Sequence, residues 1–416
     1  MKKIMIAMFA VALSACTTAS AMNVLSQTEG HLNLQEEVTR LDEMWLKNYN
    51  DFAFDLHQQL SNQKESTFFS PASILLALGM TTQGASQETL NQMLAAFHMD
   101  NVDPLEFANQ MKQFQLRLLS YQYNTLKLGN SIWMREGFDE FVRDNFLNIN
   151  KDYYGAFIAS LDFNDPASSK TINRWVKENT NGLIDKIVED DINPLTVMFL
   201  INTVYFKAEW MKTFDKNLTR DETFYAKTPK SVKFMNQDGR FPYVETDDYQ
   251  AIMLPYKEFE SSMIIFLPKE GKDIALTAQL YNEIFTDMNR QILSATQSKL
   301  IRLSLPKMEL ATEIKLVDTL KKLGITDAFD AQKADFSMMS STALQDQLHI
   351  ANVLHKAVLK VDEKGTEAAA ATSVEMGVTS MPMLDASMIV NRPFTLVLAD
   401  ATGAVIFMGD VLDPQP

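Results

Sequence analysis

Cysteine is almost absent from this chain, because Cys16 is the only one among 416 residues. A single thiol cannot form an internal disulfide, so the class of small secreted domains held together by disulfides is excluded. Hydrophobic residues make up 46% of the chain and charged residues 22%, which is typical of a globular protein. The length allows one large domain or two or three small ones.

Basic residues are also scarce, with 38 Lys and Arg against 53 Asp and Glu and a formal net charge of −15. Binding to nucleic acid requires clustered Lys and Arg that replace the counterions of the phosphates. No basic run follows Lys2 and Lys3. We therefore expect no nucleic acid partner.

The common enzyme signatures are missing as well. The sequence contains no Gly-x-Ser-x-Gly elbow, no His-Glu-x-x-His motif and no phosphate-binding loop. Its five histidines are scattered and have no metal-ligand spacing, so we expect no metal and no cofactor. A Ser, His and Asp triad assembled from distant positions leaves no sequence pattern, and that alternative stays open.

The N-terminus has the pattern of an export signal. Lys2 and Lys3 precede an uncharged apolar run over residues 4–13, which is too short to span a bilayer stably. Residues 13–16 (LSAC) resemble the bacterial lipoprotein box, whereas residues 19–21 (ASA) allow ordinary cleavage after Ala21 and secretion. We favour a lipoprotein signal at 1–15 and lipidation of Cys16, followed by a polar tether over 16–44.

A single α+β domain is expected over residues 45–416. Apolar residues at helical spacing predict helices at 46–60, 72–80, 87–97 and 104–123, and residues 169–188 are interpreted as a helix that is broken at Gly182 and followed by a further helical turn. Short alternating or apolar runs predict strands at 125–133, 156–161 and 199–206 and through most of the second half. The separation of helices from strands favours α+β over alternating α/β units.

One stretch near the C-terminus gives conflicting signals. From Thr366 to Val378, alternate residues are small or apolar, which is the period of a strand. The same stretch is rich in Ala and Glu, which favour helices. Residues 365–385 therefore form a loop of no settled structure, and loops of that length in compact domains are usually functional.

Several motifs in the chain resemble those of the serpin family over essentially all of residues 45–416. The matching segments, in family order and spacing, are 68–74 (FFSPASI), 202–210 (NTVYFKAEW), 305–307 (LPK), 323–329 (LGITDAF), 365–372 (GTEAAAAT), 391–394 (NRPF) and 407–409 (FMG). The resemblance implies one domain with three β-sheets, eight or nine helices and an exposed reactive-centre loop at about 363–386.

The resemblance also implies a function: inhibition of serine endopeptidases by trapping. The protease cleaves the loop, forms an acyl-enzyme and is held when the cleaved loop inserts into the central sheet as a new strand. In the hinge, the inward-facing positions from Thr366 to Thr372 hold only Thr and Ala, which suits insertion. The hinge comprises Glu363, Lys364, Gly365, Thr366, Glu367, Ala368, Ala369, Ala370, Ala371 and Thr372.

Two further clusters are implied by the same resemblance. The shutter beneath the opening sheet comprises Ser70, Ser73, Asn202 and His355, with the histidine expected to donate to Asn and Ser oxygens. The breach, where insertion begins, comprises Trp210, Lys307 and Glu363. We expect an ion pair between Lys307 and Glu363 that stabilises little if it is exposed.

The family's usual count of sixteen residues from Glu363 places the cleaved bond between Thr379 and Ser380, with Met376 and Val378 as competing specificity residues. An uncharged β-branched residue favours elastase-like or subtilisin-like targets over trypsin-like ones, and cysteine proteases that read Val378 remain possible. We expect a monomeric, exported bacterial lipoprotein on the outer membrane or cell surface. The alternative is a non-inhibitory serpin-fold protein with a binding or structural role.

Overall fold

The computed structural model describes residue 32, residue 38 and residues 42–61, 64–100, 102–294, 298–366 and 383–414. Eight α-helices lie within these ranges, and none of them is long and apolar enough to cross a membrane. They are α1 (Glu43–Leu60), α2 (Pro71–Thr82), α3 (Gln87–Ala96), α4 (Pro104–Ser120), α5 (Asp144–Tyr154), α6 (Pro166–Asn179), α7 (Ala278–Leu293) and α8 (Val317–Lys322).

The described residues also form sixteen strands. They are β1 (Thr67–Phe69), β2 (Asn124–Arg135), β3 (Phe157–Leu161), β4 (Met198–Glu209), β5 (Arg220–Phe224), β6 (Lys230–Phe241), β7 (Tyr243–Glu245), β8 (Tyr249–Pro255), β9 (Ser261–Pro268), β10 (Lys299–Pro306), β11 (Met308–Lys315), β12 (Leu354–Asp362), β13 (Gly365–Thr366), β14 (Ala386–Ile389), β15 (Phe394–Asp400) and β16 (Val405–Val411).

The strands form three sheets. The central sheet has the order β11-β12-β13-β4-β2-β3, the core sheet β1-β16-β15-β9-β8-β7, and the small sheet β14-β10-β6-β5. Residues 367–382 lie outside the described ranges and connect β13 in the central sheet to β14 at the edge of the small sheet. The predicted loop therefore joins two different sheets.

Helix α2 lies between the central and core sheets, where it packs against β4 and β16. Ser70 caps its first turn by accepting a hydrogen bond from Ser73 N at 3.1 Å, and Pro71 occupies the first helical position, where the missing N–H costs nothing. Eleven of its twelve residues are buried, because the helix is apolar on every face. It forms a rigid support beneath the central sheet.

The central sheet separates two hydrophobic clusters. In β4, Phe206 and Ala208 belong to the main core, whereas Ile201 packs with Ile172 and Val176 of α6 in a smaller cluster on the opposite face. Successive side chains of a strand point to opposite faces, so the side chains at the even-numbered positions 206 and 208 face the main core. This assignment decides which face an added strand would present inward.

The predicted α+β fold with three sheets and eight or nine helices is confirmed, with eight α-helices in the described ranges. Two local interpretations were wrong or incomplete. Residues 183–188 after Gly182 contain bends and no helical turn, and Asn173 Oδ1 accepts from their backbone N–H groups at Ile187 and Val188. The sequence interpretation also missed α7, whose Thr277 cap and buried Ile284 and Met288 carry a helical signal.

Candidate functional site

The hinge is described only from Glu363 to Thr366, and these residues form a tight reversal. β12 ends at Asp362, whose Oδ1 accepts from Lys364 N at 2.8 Å and from Gly365 N at 3.3 Å. The chain then runs back as β13, with Thr366 paired to Val361 of β12 and to Ala208 of β4. No pairing between β12 and β4 themselves is found in this part of the chain, so β13 joins them.

Gly365 is required by the close approach of β4. Its φ is +157°, and a Cβ at this position would lie 2.0 Å from the carbonyl oxygen of Ala208. No side chain can occupy that space without moving the strand. The glycine therefore allows the chain to turn directly into the position between β12 and β4.

The Thr366 side chain points into the main core and is 2% exposed. Its Oγ1 lies 2.6 Å from the hydroxyl of Tyr256, and the Tyr256 ring stacks on the indole of Trp210 with 4.5 Å between centroids. Burial raises the pKa of Tyr256, so the phenol stays protonated and neutral in this contact. The inward orientation predicted for Thr366 is the one that the structure has.

Hydrogen bonds to three backbone carbonyls of the reversal fix it to the segment that follows β4. Trp210 Nε1 donates to Asp362 O at 2.9 Å, and Trp210 N donates to Lys364 O at 2.8 Å. Phe214 N donates to Glu363 O at 2.7 Å. Trp210 is thus both the aromatic wall and the main backbone partner of the described hinge.

The breach contains the expected ion pair, and its carboxylate is buried. Lys307 Nζ lies 2.9 Å from Glu363 Oε2, and Thr219 Oγ1 donates to Glu363 Oε1 at 2.8 Å. Glu363 is 4% exposed, whereas about a third of the Lys307 side chain is exposed. Burial alone would raise the pKa of the Glu363 carboxyl, but the ammonium and hydroxyl partners hold it below its ordinary value.

Three of the four shutter residues form one connected group. Ser70 N donates to His355 Nε2 at 3.0 Å, and Ser70 Oγ donates to Ile406 O at 2.7 Å while accepting from Ser73 N. His355 therefore links β12 to the start of α2 and to the core sheet. Burial lowers the pKa of His355 to about 4, so the imidazole is neutral near pH 7.

The expectation that His355 donates to Asn and Ser oxygens was wrong. Its Nε2 accepts a hydrogen bond, because Ser70 is the helix cap and its N–H has no partner within the helix. Asn202 bonds elsewhere: its Nδ2 donates to Asn130 Oδ1 at 2.7 Å, and no hydrogen bond is found for its buried Oδ1 among the described residues. The strand register nevertheless places Asn202 level with His355. Gly365 pairs with Asp362 of β12 and with Glu209 of β4, and His355 and Asn202 each lie seven residues before these partners.

Several residues of the site were not found from the sequence. Asn130 bridges Asn202 to the carbonyl of Tyr154 at 2.6 Å and to Gln115 Oε1 at 2.8 Å. Its only sequence signal was an Asn within a predicted strand, where Asn is disfavoured. Thr219 and Tyr256 carry no comparable signal, because only the tertiary fold brings them to the hinge.

The remaining predicted site residues lie outside the described ranges. They are the rest of the hinge (Glu367, Ala368, Ala369, Ala370, Ala371 and Thr372), the predicted bond between Thr379 and Ser380, the neighbouring Met376 and Val378, and Cys16. Their assignments stay predictions.

Comparison with known proteins identifies the family. A model described as Serpin (serine protease inhibitor) matches residues 47–414. An uncharacterised serpin-like protein of Thermococcus kodakarensis is 35% identical over 378 residues, 88% of this chain and 85% of the relative. Human antithrombin-III is 30% identical over 380 residues, 87% of this chain and 80% of the relative.

A solved structure agrees with this assignment. The native state of tengpin, a thermophilic serpin, superimposes with a TM-score of 0.80 at 32% identity and covers 94% of this chain and 100% of its own. The chain belongs to the serpin family. Members of this family are typically protease inhibitors rather than enzymes.

Proposed function

We propose that this serpin inhibits serine-type endopeptidases by covalent trapping, with insertion of its cleaved loop between β12 and β4. The observation that carries the proposal is the position of β13. Gly365 and Thr366 already pair with both strands. The start of the added strand is therefore laid down before any cleavage.

The register of β13 defines the neighbours of each further residue. Continued insertion would bring Ala368 level with Leu359 and Phe206, and Ala370 level with Ala357 and Val204. The even-numbered positions would face the main core, as Thr366 does. These positions hold only Thr and Ala up to Thr372, so no large or charged side chain would oppose insertion there.

The chemistry uses the nucleophile of the target. The protease's serine Oγ attacks the carbonyl carbon of Thr379, an ester bond forms, and the amine of Ser380 leaves with the C-terminal fragment. Hydrolysis of the ester would release active protease, whereas fast insertion carries the acylated protease away from its approach position. The outcome depends on the ratio of these two rates.

Target class and location are part of the proposal. The uncharged Thr379 suits elastase-like or subtilisin-like proteases, with cysteine proteases as a further possibility through Val378. Lipidation of Cys16 would anchor the protein to a bacterial membrane, where it would act on external proteases. The competing role is a non-inhibitory binding or structural lipoprotein, against which the small residues of the hinge argue.

The test is incubation of the purified protein with elastase, subtilisin and trypsin, followed by denaturing gels and residual activity. An SDS-stable complex with elastase or subtilisin, together with loss of activity, supports trapping. Cleavage of the loop by every protease with full activity retained would show that the inhibitory proposal is wrong and would favour the non-inhibitory role.

A further inference from the structure

A cavity of about 390 Å³ lies where β4, β6 and β8 end and the small sheet meets the core sheet. Its walls are mostly apolar and include Trp210, Phe214, Phe241, Leu254 and Ile292. The volume is within the range of small-molecule sites, roughly 300–1,000 Å³. The cavity is thus large enough for a ligand with an apolar body.

The charged side chains that line this cavity in the described part of the chain are both cations, Lys212 and Arg240. Lys212 Nζ donates to Asp238 O at 2.7 Å, and Arg240 Nη1 donates to Ser298 O at 3.0 Å. Each cation has further donors, since an ammonium carries three and a guanidinium five. The nearby Asp238 carboxylate is bound by Arg302 at 3.1 and 3.0 Å.

Two cations without a lining carboxylate stand out in a chain with a net charge of −15. An anionic ligand group would be attracted to this position and repelled by most of the remaining surface. Charge therefore favours an anion with an apolar tail over a neutral or cationic molecule.

Gln237 provides an independent polar feature of the same cavity. The residue is 7% exposed, and its Oε1 is buried with no hydrogen-bond partner among the described residues. Buried acceptors of this kind are rare and require a partner. This oxygen has almost no accessible surface, so a rotation of the Gln237 side chain towards the cavity would let a ligand hydroxyl supply the missing donor.

The cavity shares two walls with the hinge. Trp210 donates hydrogen bonds to Asp362 O and Lys364 O, and Phe214 N donates to Glu363 O. A ligand packed against these rings would stabilise the arrangement described for residues 362–366. Occupancy and loop insertion are therefore physically coupled through Trp210 and Phe214.

We propose that this cavity binds an amphiphilic monoanion that carries a hydroxyl group, and that its occupancy slows loop insertion. The second half of the proposal rests on the proposed inhibitory function. A ligand that binds only the arrangement seen here lowers the rate of insertion by a factor of at most one plus the ratio of its concentration to its Kd. At ten times Kd this factor is about 11.

The binding test uses isothermal titration calorimetry with 12-hydroxydodecanoate, below its micelle concentration, and 1,12-dodecanediol as the uncharged control. The protein is the full chain with Cys16→Ser, which keeps acyl chains out of the assay. We expect one site and at least tenfold tighter binding of the carboxylate. Absence of saturable binding, or equal affinity for the two probes, overturns the proposal.

Variants assign the site. Lys212→Gln combined with Arg240→Gln should remove the preference for the carboxylate, and Gln237→Leu should weaken binding of both hydroxylated probes. Lys322→Gln, an exposed cation on α8, is the matched control and should change nothing. Unaltered affinities in all of the cavity variants would show that the probe binds elsewhere.

The coupling is tested by the stoichiometry of inhibition of elastase at ten times the Kd of 12-hydroxydodecanoate. The proposal predicts a higher stoichiometry than without ligand, and no effect in the Lys212 and Arg240 double variant. An unchanged stoichiometry in a protein that does form complexes shows that the coupling is wrong. Failure to form complexes without ligand refutes the proposed function instead and leaves the calorimetric result standing.

Discussion

Ala370→Arg and Ala369→Arg differ by one position along the loop, and the register of the hinge predicts a larger effect for the first. Insertion would place residue 370 on the core face, level with Ala357 and Val204. Residue 369 would be level with Val358 and Tyr205 on the opposite face. The two variants have the same charge and size, so each is the control for the other.

The magnitude follows from the burial of the neighbours. Thr366, the first inward residue, is 2% exposed, and Ala357 is 3% exposed. An unpaired charge at such a position costs roughly 3–5 kcal/mol. At about 1.4 kcal/mol per tenfold change in rate, insertion past residue 370 would slow by at least about 100-fold. Hydrolysis of the acyl-enzyme would then exceed trapping.

The assay is the stoichiometry of inhibition of elastase, measured by titration and by the ratio of complex to cleaved protein on denaturing gels. Ala370→Arg should behave as a substrate, with a stoichiometry well above 10. Ala369→Arg should have the lower stoichiometry of the two, because its side chain would lie on the face opposite to the main core. Equal stoichiometries for the two variants would refute the inward and outward assignment that is drawn from β13.

Four further predictions concern other residues of the site and the N-terminus. Glu363→Gln removes the ion pair with Lys307, and because the lysine is partly exposed the free energy of unfolding should fall by only about 1–2 kcal/mol; a gain in stability would contradict the described contact. His355 is buried and neutral, and folding lowers its pKa. Its contribution to the free energy of unfolding is therefore full above pH 6.5, the ordinary pKa of His, and falls by up to about 3 kcal/mol as the pH drops to 4. Urea unfolding at pH 7, 6 and 5 should show this fall in the free energy of unfolding for the wild type, and the His355→Gln variant should lack it. The same pH dependence in both proteins would exclude His355 as its source. Gly365→Ala should lower the melting temperature, with a cost of about 1–3 kcal/mol from the forced backbone shift, and an unchanged melting temperature would contradict the close contact with Ala208. Cys16→Ser should release the protein from the membrane fraction, and lipid labelling that persists in this variant would exclude Cys16 as the anchor.

Sequence patterns predicted the inward face of the hinge because alternation is a local property of a strand. Thr366 lies on the even-numbered face and is buried, as the period of two required. The ion pair of Lys307 with Glu363 followed from family motifs rather than from any local pattern. Helix α7 shows the reverse case, since its apolar spacing was present in the sequence and was overlooked.

Hydrogen-bond direction in the shutter could not be predicted from the sequence. Whether His355 donates or accepts depends on which group faces each ring nitrogen, and that group is a backbone N–H at the start of α2. The stacking of Tyr256 on Trp210 likewise depends on how β8 and β4 end beside one another. Both features arise from tertiary packing, which residue type and spacing do not encode directly.

The central claim is that the protease is held through an ester to Thr379 once the bond between Thr379 and Ser380 is cut. Strands β14, β15 and β16 belong to the C-terminal fragment and lie in the small and core sheets, so only denaturation separates that fragment from the complex. Intact mass spectrometry of the purified elastase complex under denaturing conditions tests the claim most directly. Trapping predicts a complex whose mass is that of elastase plus that of the processed serpin, minus the mass of the 37-residue fragment from Ser380 to Pro416. No other part of the processed serpin should be missing. A complex that retains those residues, or separation of the two proteins under denaturing conditions, would contradict the covalent trap.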